Sequence, residues 1–183
     1  MLKKLDAGIY TIEEGVTQEH CRELIQMAEG LGFVEAPIGT MAHTMTLKGI
    51  RNNARIIWDN PAFAKRFWEL LAPYSLPSYF GAKPIGVNER FRLYRYRVGE
   101  KFDWHADGAF RRDNGEQSVY TVLLYLSDDF EGGETLFKNT KVIPKEGSIC
   151  IFEHKKLHKG AEVRKGVKYV LRTDVMVSKP LWK

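Results

Sequence analysis

A chain of 183 residues with 44% hydrophobic and 28% charged residues has the balance of a globular protein and too little polar bias for a disordered one. The 28 Lys and Arg outweigh the 23 Asp and Glu for a net charge of +5, yet the cations fall in short clusters such as Arg111-Arg112 and Lys155-Lys156, which disfavours a nucleic-acid-binding block. Cys21 and Cys150 lie far apart in apolar runs, residues 1–15 lack the apolar core of a leader, and the longest apolar stretch is only 119–126; a cytoplasmic protein with free thiols and no membrane span is expected.

In chain order, Cys21, Leu24, Ile25, Ala28 and Leu31 recur at helical spacing and predict a helix over about 18–31. Thr17 suits its N-cap, Glu19 its first turn, and Gly30 or Gly32 its end. Residues 36–53 have no clear period, and the polar stretch 39–49 is expected to be a lid or substrate loop. A second helix starts with Asn60 as cap and Pro61 at its first position, with Phe63, Phe67, Leu70 and Leu71 as its apolar stripe. After Pro84 the period falls to two: Phe91 and Leu93 alternate with Arg90, Arg92, Tyr94 and Tyr96. Further strands are expected at 119–126, 134–138, 148–153 and 167–177, with turns at 129–133 and 144–147. Helices followed by many short strands predict an α+β chain with a jelly-roll core. With no linker or repeat, residues 1–183 read as a single domain, helical support to about 84 and strand core over about 85–178.

His105-Ala106-Asp107 carries the chemistry. Two imidazoles and a carboxylate are the ligand set that holds a non-haem Fe(II) and leaves positions open. Residues i and i+2 of an extended chain point to one side, so His105 and Asp107 can reach one metal. That pair alone is weak; a surface loop with a hydrogen-bonded histidine is the plain alternative. A third ligand comes from His154 or His158. His158 is preferred because Gly160, Gly166 and Lys168 follow it in a turn-then-strand pattern, whereas His154 would put Arg164 at the same offset in a loop. Lys168, Val170 and Arg172 share a strand face, and buried cations there require anions, which a dicarboxylate supplies. An edge strand with solvated cations is the alternative. Thr121, Leu123 and Tyr125 also share a face, and Tyr96 closes a strand whose polar side fits a wet cavity better than a plain core.

These landmarks taken together resemble the Fe(II)/2-oxoglutarate-dependent dioxygenases of the prolyl 4-hydroxylase-like group. The resemblance covers most of residues 85–178. It runs through 88–96, Gly99, Phe102, 105–108, 121–126, 130–137, Pro144 with Gly147, and His158-Lys159-Gly160 to Lys168. It implies a double-stranded β-helix (cupin-like) core with N-terminal supporting helices. It makes His105, Asp107 and His158 the iron ligands and Lys168 the partner of the distal carboxylate of 2-oxoglutarate. Tyr125 would bond the same carboxylate, and Tyr96 would lie near iron and cosubstrate. Arg172 lies beyond the usual anchor, either sharing that carboxylate or meeting substrate.

The implied reaction uses Fe(II), 2-oxoglutarate and O2, with ascorbate as accessory reductant. It hydroxylates an unactivated carbon of a peptidyl residue, amino acid or small metabolite, releasing succinate and CO2. Arg51 and Asn52, in a segment that also resembles bacterial members of the group, join Arg92, Phe110 and Arg111 as candidates for substrate contact. Two other readings stay open. A nucleic-acid demethylase of the same class is prompted by the positive charge, although neither a twin-arginine pattern after His158 nor an aromatic–basic platform is present. A non-enzymatic jelly-roll module would bind a metal or carboxylate without turnover, against which the intact triad with Lys168 argues.

Overall fold

Strand alternation and two capped helices decide the architecture. The computed structural model describes residues 1–35 and 51–179, so the expected lid at 39–49 lies outside the described residues. The chain opens with a hairpin, β1 (Leu2–Asp6) and β2 (Ile9–Ile12), turned at Gly8 in left-handed backbone. Helix α1 (Gln18–Leu31) follows, its N-cap Thr17 accepting from the His20 N–H at 3.3 Å and Gly32 closing its end at φ 82°. Next come β3 (Val34–Glu35), β4 (Ala54–Asp59) and α2 (Pro61–Leu71), which starts on Asn60 and ends in a 3₁₀ turn, Ala72–Tyr74.

The remainder is strand: β5 (Pro84–Val87), β6 (Arg90–Tyr96), β7 (Phe102–His105), β8 (Gln117–Tyr125), β9 (Glu131–Gly132) and β10 (Thr135–Phe137). Then come β11 (Lys141–Val142), β12 (Ile149–Glu153), β13 (His158–Gly160), β14 (Val163–Lys165) and β15 (Lys168–Val177). The main sheet runs β1-β2-β12-β8-β15-β6-β4-β3, with β5 also on β15; the minor sheet runs β11-β10-β13-β7, and β9 pairs with β14. This is a jelly-roll core carrying its helices on one face.

Period two gives the main sheet two different faces. Phe91 and Leu93 of β6, Val122 and Leu124 of β8, Ile149 and Ile151 of β12 and Leu171 of β15 pack against Phe67 and Leu71 of α2 and Leu24 of α1. The opposite face presents Tyr94, Tyr96, Tyr125, Cys150, Phe152 and Val170 to Phe137 and Val142 of the minor sheet. A slip of one residue would exchange these faces, so register is firmly set. Each large apolar side chain buried on either side contributes about 1.5–3 kcal/mol. Cys21 lies in the helix-side core and Cys150 in the inter-sheet core, both free.

Two stretches of the expected helical support are strands of the main sheet. β2 pairs with β12, and β4 pairs with β6 along its whole length. Neither showed a strong period because each lies toward an edge; in β4 Ile56 alone is buried. Among the described residues, no helix is long and apolar enough to cross a membrane.

Candidate active site

Strand pairing in the minor sheet brings the histidines together: His105 ends β7, His158 opens β13, and the two are register partners. Asp107 lies just past β7, where its N–H donates to the His154 carbonyl at 2.9 Å. Its carboxylate then faces both rings, with His105 Nε2 3.9 Å from Oδ1 and His158 Nε2 3.6 Å from Oδ2. One ligand-type atom from each of the three residues lies within 4.8 Å of the others. His154, the alternative third ligand, is not in this group.

Each ring is held in one tautomer. His105 Nδ1 is 2.7 Å from the Asp103 carbonyl and His158 Nδ1 is 2.8 Å from the Lys156 carbonyl. A carbonyl only accepts, so both Nδ1 atoms carry the hydrogen and both Nε2 lone pairs point at the shared space. Burial, then the neighbouring His158, lowers the His105 pKa to about 4, and burial likewise lowers that of His158. Burial works against the Asp107 charge, but Arg172, His158, the Thr121 hydroxyl and His105 outweigh it and hold its carboxyl at about 2. Near neutral pH the trio is therefore two neutral imidazoles and one carboxylate. Packing fixes the rings further: His105 stacks on Phe102 at 3.6 Å, and His158 meets the edge of Phe152 at 4.5 Å.

Behind Asp107 runs a directed hydrogen-bond chain. The Phe110 N–H donates to Ser118 Oγ at 2.8 Å, and Ser118 Oγ lies 2.8 Å from His154 Nε2. His154 Nδ1 lies 2.9 Å from Thr121 Oγ1, whose hydroxyl donates to Asp107 Oδ2 at 2.5 Å. Because Thr121 spends its hydrogen on Asp107, it must accept from His154 Nδ1–H, and Ser118 must donate to Nε2. Ser118 was passed over in the sequence; Thr121 was placed on one strand face with Leu123 and Tyr125, but no role was read for it.

A narrow cleft opens between the sheets, walled by Tyr94, Tyr96, Phe102, Leu123, Thr135 and Val170 beside the trio. Lys168 and Arg172 both line it. They are separated by roughly 13 Å of strand. Lys168 is 3% exposed, donates to the Gly133 carbonyl at 2.6 Å, and lies 5.2 and 5.6 Å from the Tyr96 and Tyr125 ring centres. Burial pulls its pKa down to about 7, with Glu134 opposing. Tyr125 is fully buried, and its hydroxyl is 2.7 Å from that of Thr135, a cleft-wall residue that sequence reading did not single out. Burial raises the phenol pKa of both Tyr96 and Tyr125, so both stay protonated. Arg172 Nη2 lies 3.1 Å from both Asp107 and Asp174 carboxylates, which keep it charged despite burial.

The remaining candidates divide. The Arg51 guanidinium lies over the Tyr94 and Phe102 rings at 4.7 and 4.6 Å. Arg92 reaches Asp174 at 3.7 Å. The Asn52 side chain is spent on backbone, bonding the Gly99 carbonyl and the Lys101 N–H. Phe110 and Arg111 are exposed and do not line the cleft wall.

Residues 91–173 match the family model of the 2OG-Fe(II) oxygenase superfamily. Prolyl 4-hydroxylase 5 of Arabidopsis thaliana is 31% identical over 127 residues, covering 67% of this chain and 42% of that protein. The chain spans less than half the length of this and other plant relatives that it matches. Among solved structures, a Pseudomonas putida prolyl-4-hydroxylase superposes with a TM-score of 0.66 at 15% identity, covering 92% of this chain and 91% of that one. A viral collagen prolyl hydroxylase from Paramecium Bursaria Chlorella virus-1, in its 2OG complex, gives 0.63 at 19%, covering 93% and 97%. At these identities the likeness to the solved structures is one of fold. The cofactors of the matched family are Fe(II), 2-oxoglutarate and O2, and the His-His-Asp trio is a donor set that suits the metal. With a family match running from β6 into β15 and a plant prolyl 4-hydroxylase aligned over 67% of this chain, residues 91–173 carry the 2OG-Fe(II) oxygenase superfamily segment, and the chain is similar to prolyl 4-hydroxylases of that superfamily.

Proposed function

We propose that this protein is an Fe(II)- and 2-oxoglutarate-dependent dioxygenase that hydroxylates an unactivated carbon of a peptidyl residue, an amino acid or a small metabolite, with succinate and CO2 as coproducts. One observation carries this reading. Two neutral Nε2 atoms and a carboxylate converge in a cleft that also holds a buried ammonium with no carboxylate in ion-pair reach among the described residues. His105, Asp107 and His158 would hold Fe(II), which with 2-oxoglutarate and O2 supplies the oxidising chemistry. The carbonyls of Asp103 and Lys156 orient the two rings, as partners behind metal ligands do.

Lys168 would bind the distal carboxylate, and an incoming anion would restore the charge that burial disfavours. The Thr135 and Tyr125 hydroxyls beside it offer hydrogen bonds to the same group. Arg172 already has two carboxylates, so Lys168 is the better anchor. Apolar walls at Phe102, Leu123 and Val170 keep water from the reacting end. Free thiols buried in separate cores support a reducing compartment such as the cytoplasm.

The test is anaerobic addition of Fe(II) and 2-oxoglutarate, watched for the visible metal-to-ligand charge-transfer band, with His158→Ala as control. A band that the control lacks is expected. Folded protein that binds iron without the band would sink the oxygenase reading in favour of a metal- or carboxylate-binding module.

A further inference from the structure

The Asp107 end of the cleft contains more positive charge than the protein neutralises. Arg172 and Arg92 are direct cross-strand partners between β15 and β6. Like charges placed so are destabilising unless an anion lies between them. Asp174 serves both, at 3.1 and 3.7 Å, and Asp107 serves Arg172 at 3.1 Å. Arg55 lies opposite Tyr94 on β4, and Arg51 lies over Tyr94 and Phe102, two cleft walls. Burial and the proximity of Arg51, followed by smaller effects from Arg92 and Arg172, disfavour the Arg55 charge, a sign of crowded cations.

Hydrogen bonding is short as well. Arg172 Nε, Arg92 Nη1 and Arg51 Nη2 are buried with no hydrogen-bond partner among the described residues, the 3.7 Å approach of Arg92 to Asp174 being an ion pair only. Arg51 is only 7% exposed, so the loss is not made good by bulk water. Residues 36–50 include no Asp or Glu, so no acidic side chain from that segment can answer these donors.

Charge counting says what is missing. Asp107 and Asp174 are the carboxylates in ion-pair reach of Arg92 and Arg172 among the described residues, and Arg51 and Arg55 add further positive charge beside them. Cations therefore outnumber anions here, since the distal carboxylate of 2-oxoglutarate is assigned to Lys168. The surplus calls for an anionic group, and the planar guanidinium fork matches a carboxylate. We infer that the substrate carries a carboxylate, held by Arg172, Arg92 and Arg51 at the Asp107 end of the cleft. The inference rests on the oxygenase reading and names the substrate class of that same site. The carboxylate can belong to a small acid or to an acidic residue within a peptide.

The test uses protein loaded with Fe(II) and saturating 2-oxoglutarate without oxygen, titrated by calorimetry with matched pairs. One pair is N-acetyl-L-glutamate and N-acetyl-L-glutamine; the other is a capped heptapeptide with Glu or Gln at its centre. In at least one pair the acid is expected to bind about tenfold or more tighter than the amide, and the pair that does so identifies the source. In Arg92→Met and Arg51→Met that preference is expected to fall to about threefold or less. Acid and amide binding alike, binding by neither, or folded variants that keep the full preference would overturn the inference. The parent comparison needs no variant, so misfolding cannot hide the answer. A charge-transfer band in the same sample leaves the oxygenase reading standing when the preference is absent; without the band both fall.

Discussion

Lys168 shows how one buried side chain joins the fold to the proposed chemistry. Its folded pKa of about 7 lies below the usual lysine value of 10.5 because burial disfavours the ammonium. For a base with a lowered folded pKa, the burial cost is full below pH 7 and is relieved progressively as pH rises from about 7 to 10.5, where the unfolded state also loses the proton. A dicarboxylate needs the charged form. Binding of 2-oxoglutarate above pH 7 should therefore take up close to one proton, and affinity should fall toward about tenfold per pH unit. Calorimetry at pH 8 in buffers of different ionisation enthalpy reads that proton; an uptake near zero would remove Lys168 from the anchor role. Lys168→Met should abolish the pH dependence and weaken binding roughly tenfold to a hundredfold, the worth of a charged hydrogen bond. The trio and Lys168 were legible in the sequence because metal-ligating residue types are few and strand alternation says which side chains share a face. Thr135 was not, because its hydroxyl matters only through a partner on β8, and no sequence period reports a cross-sheet contact.

Among the elements, β8 and the segment after β12 set the carboxylate of the trio. Thr121 of β8 gives its hydrogen to Asp107 and accepts from His154, which the Ser118 hydroxyl fixes from its other nitrogen. The sequence raised His154 as a rival ligand because it lies near His158; in the fold it stands behind the site as a positioning residue. The turn-then-strand pattern after His158 already favoured it as the ligand; what the sequence did not show is the place of His154 behind the site, since its partners Ser118 and Thr121 lie on another strand. Thr121→Val keeps the shape, removes the bond to Asp107 and leaves His154 Nδ1–H unpaired. The expected cost is about 1–3 kcal/mol of stability. Metal affinity should fall by about 10- to 100-fold, as with other groups behind metal ligands. Thr121→Ser should recover most of the affinity. Equal metal affinity in Thr121→Val, measured by competition with a chromophoric chelator, would reduce the chain to a purely structural role.

At the scale of the molecule, the main sheet works as a partition. Alternation made its two faces visible in the sequence from β6 onward. Strands β2 and β4, each one in from an edge, escaped notice because their partners β12 and β6 lie far along the chain and their own periods are weak. One face carries the helix-side core and the other the inter-sheet core that supports the site. Comparing one deletion on each side tests the partition. Leu71 and Phe152 are both fully buried, but Leu71 packs in the helix-side core, whereas Phe152 touches His158 and Phe137 between the sheets. Leu71→Ala and Phe152→Ala should each lose about 2–5 kcal/mol in denaturant unfolding. Their effects on the site should differ. Sites with no shared partners behave independently, so folded Leu71→Ala should keep the parent affinity for metal and 2-oxoglutarate. Phe152→Ala opens a cavity against the His158 ring and should weaken metal binding beyond its cost to folding. If Leu71→Ala weakens metal binding equally at matched folded fraction, the sheet transmits strain between its faces and the two cores act as one.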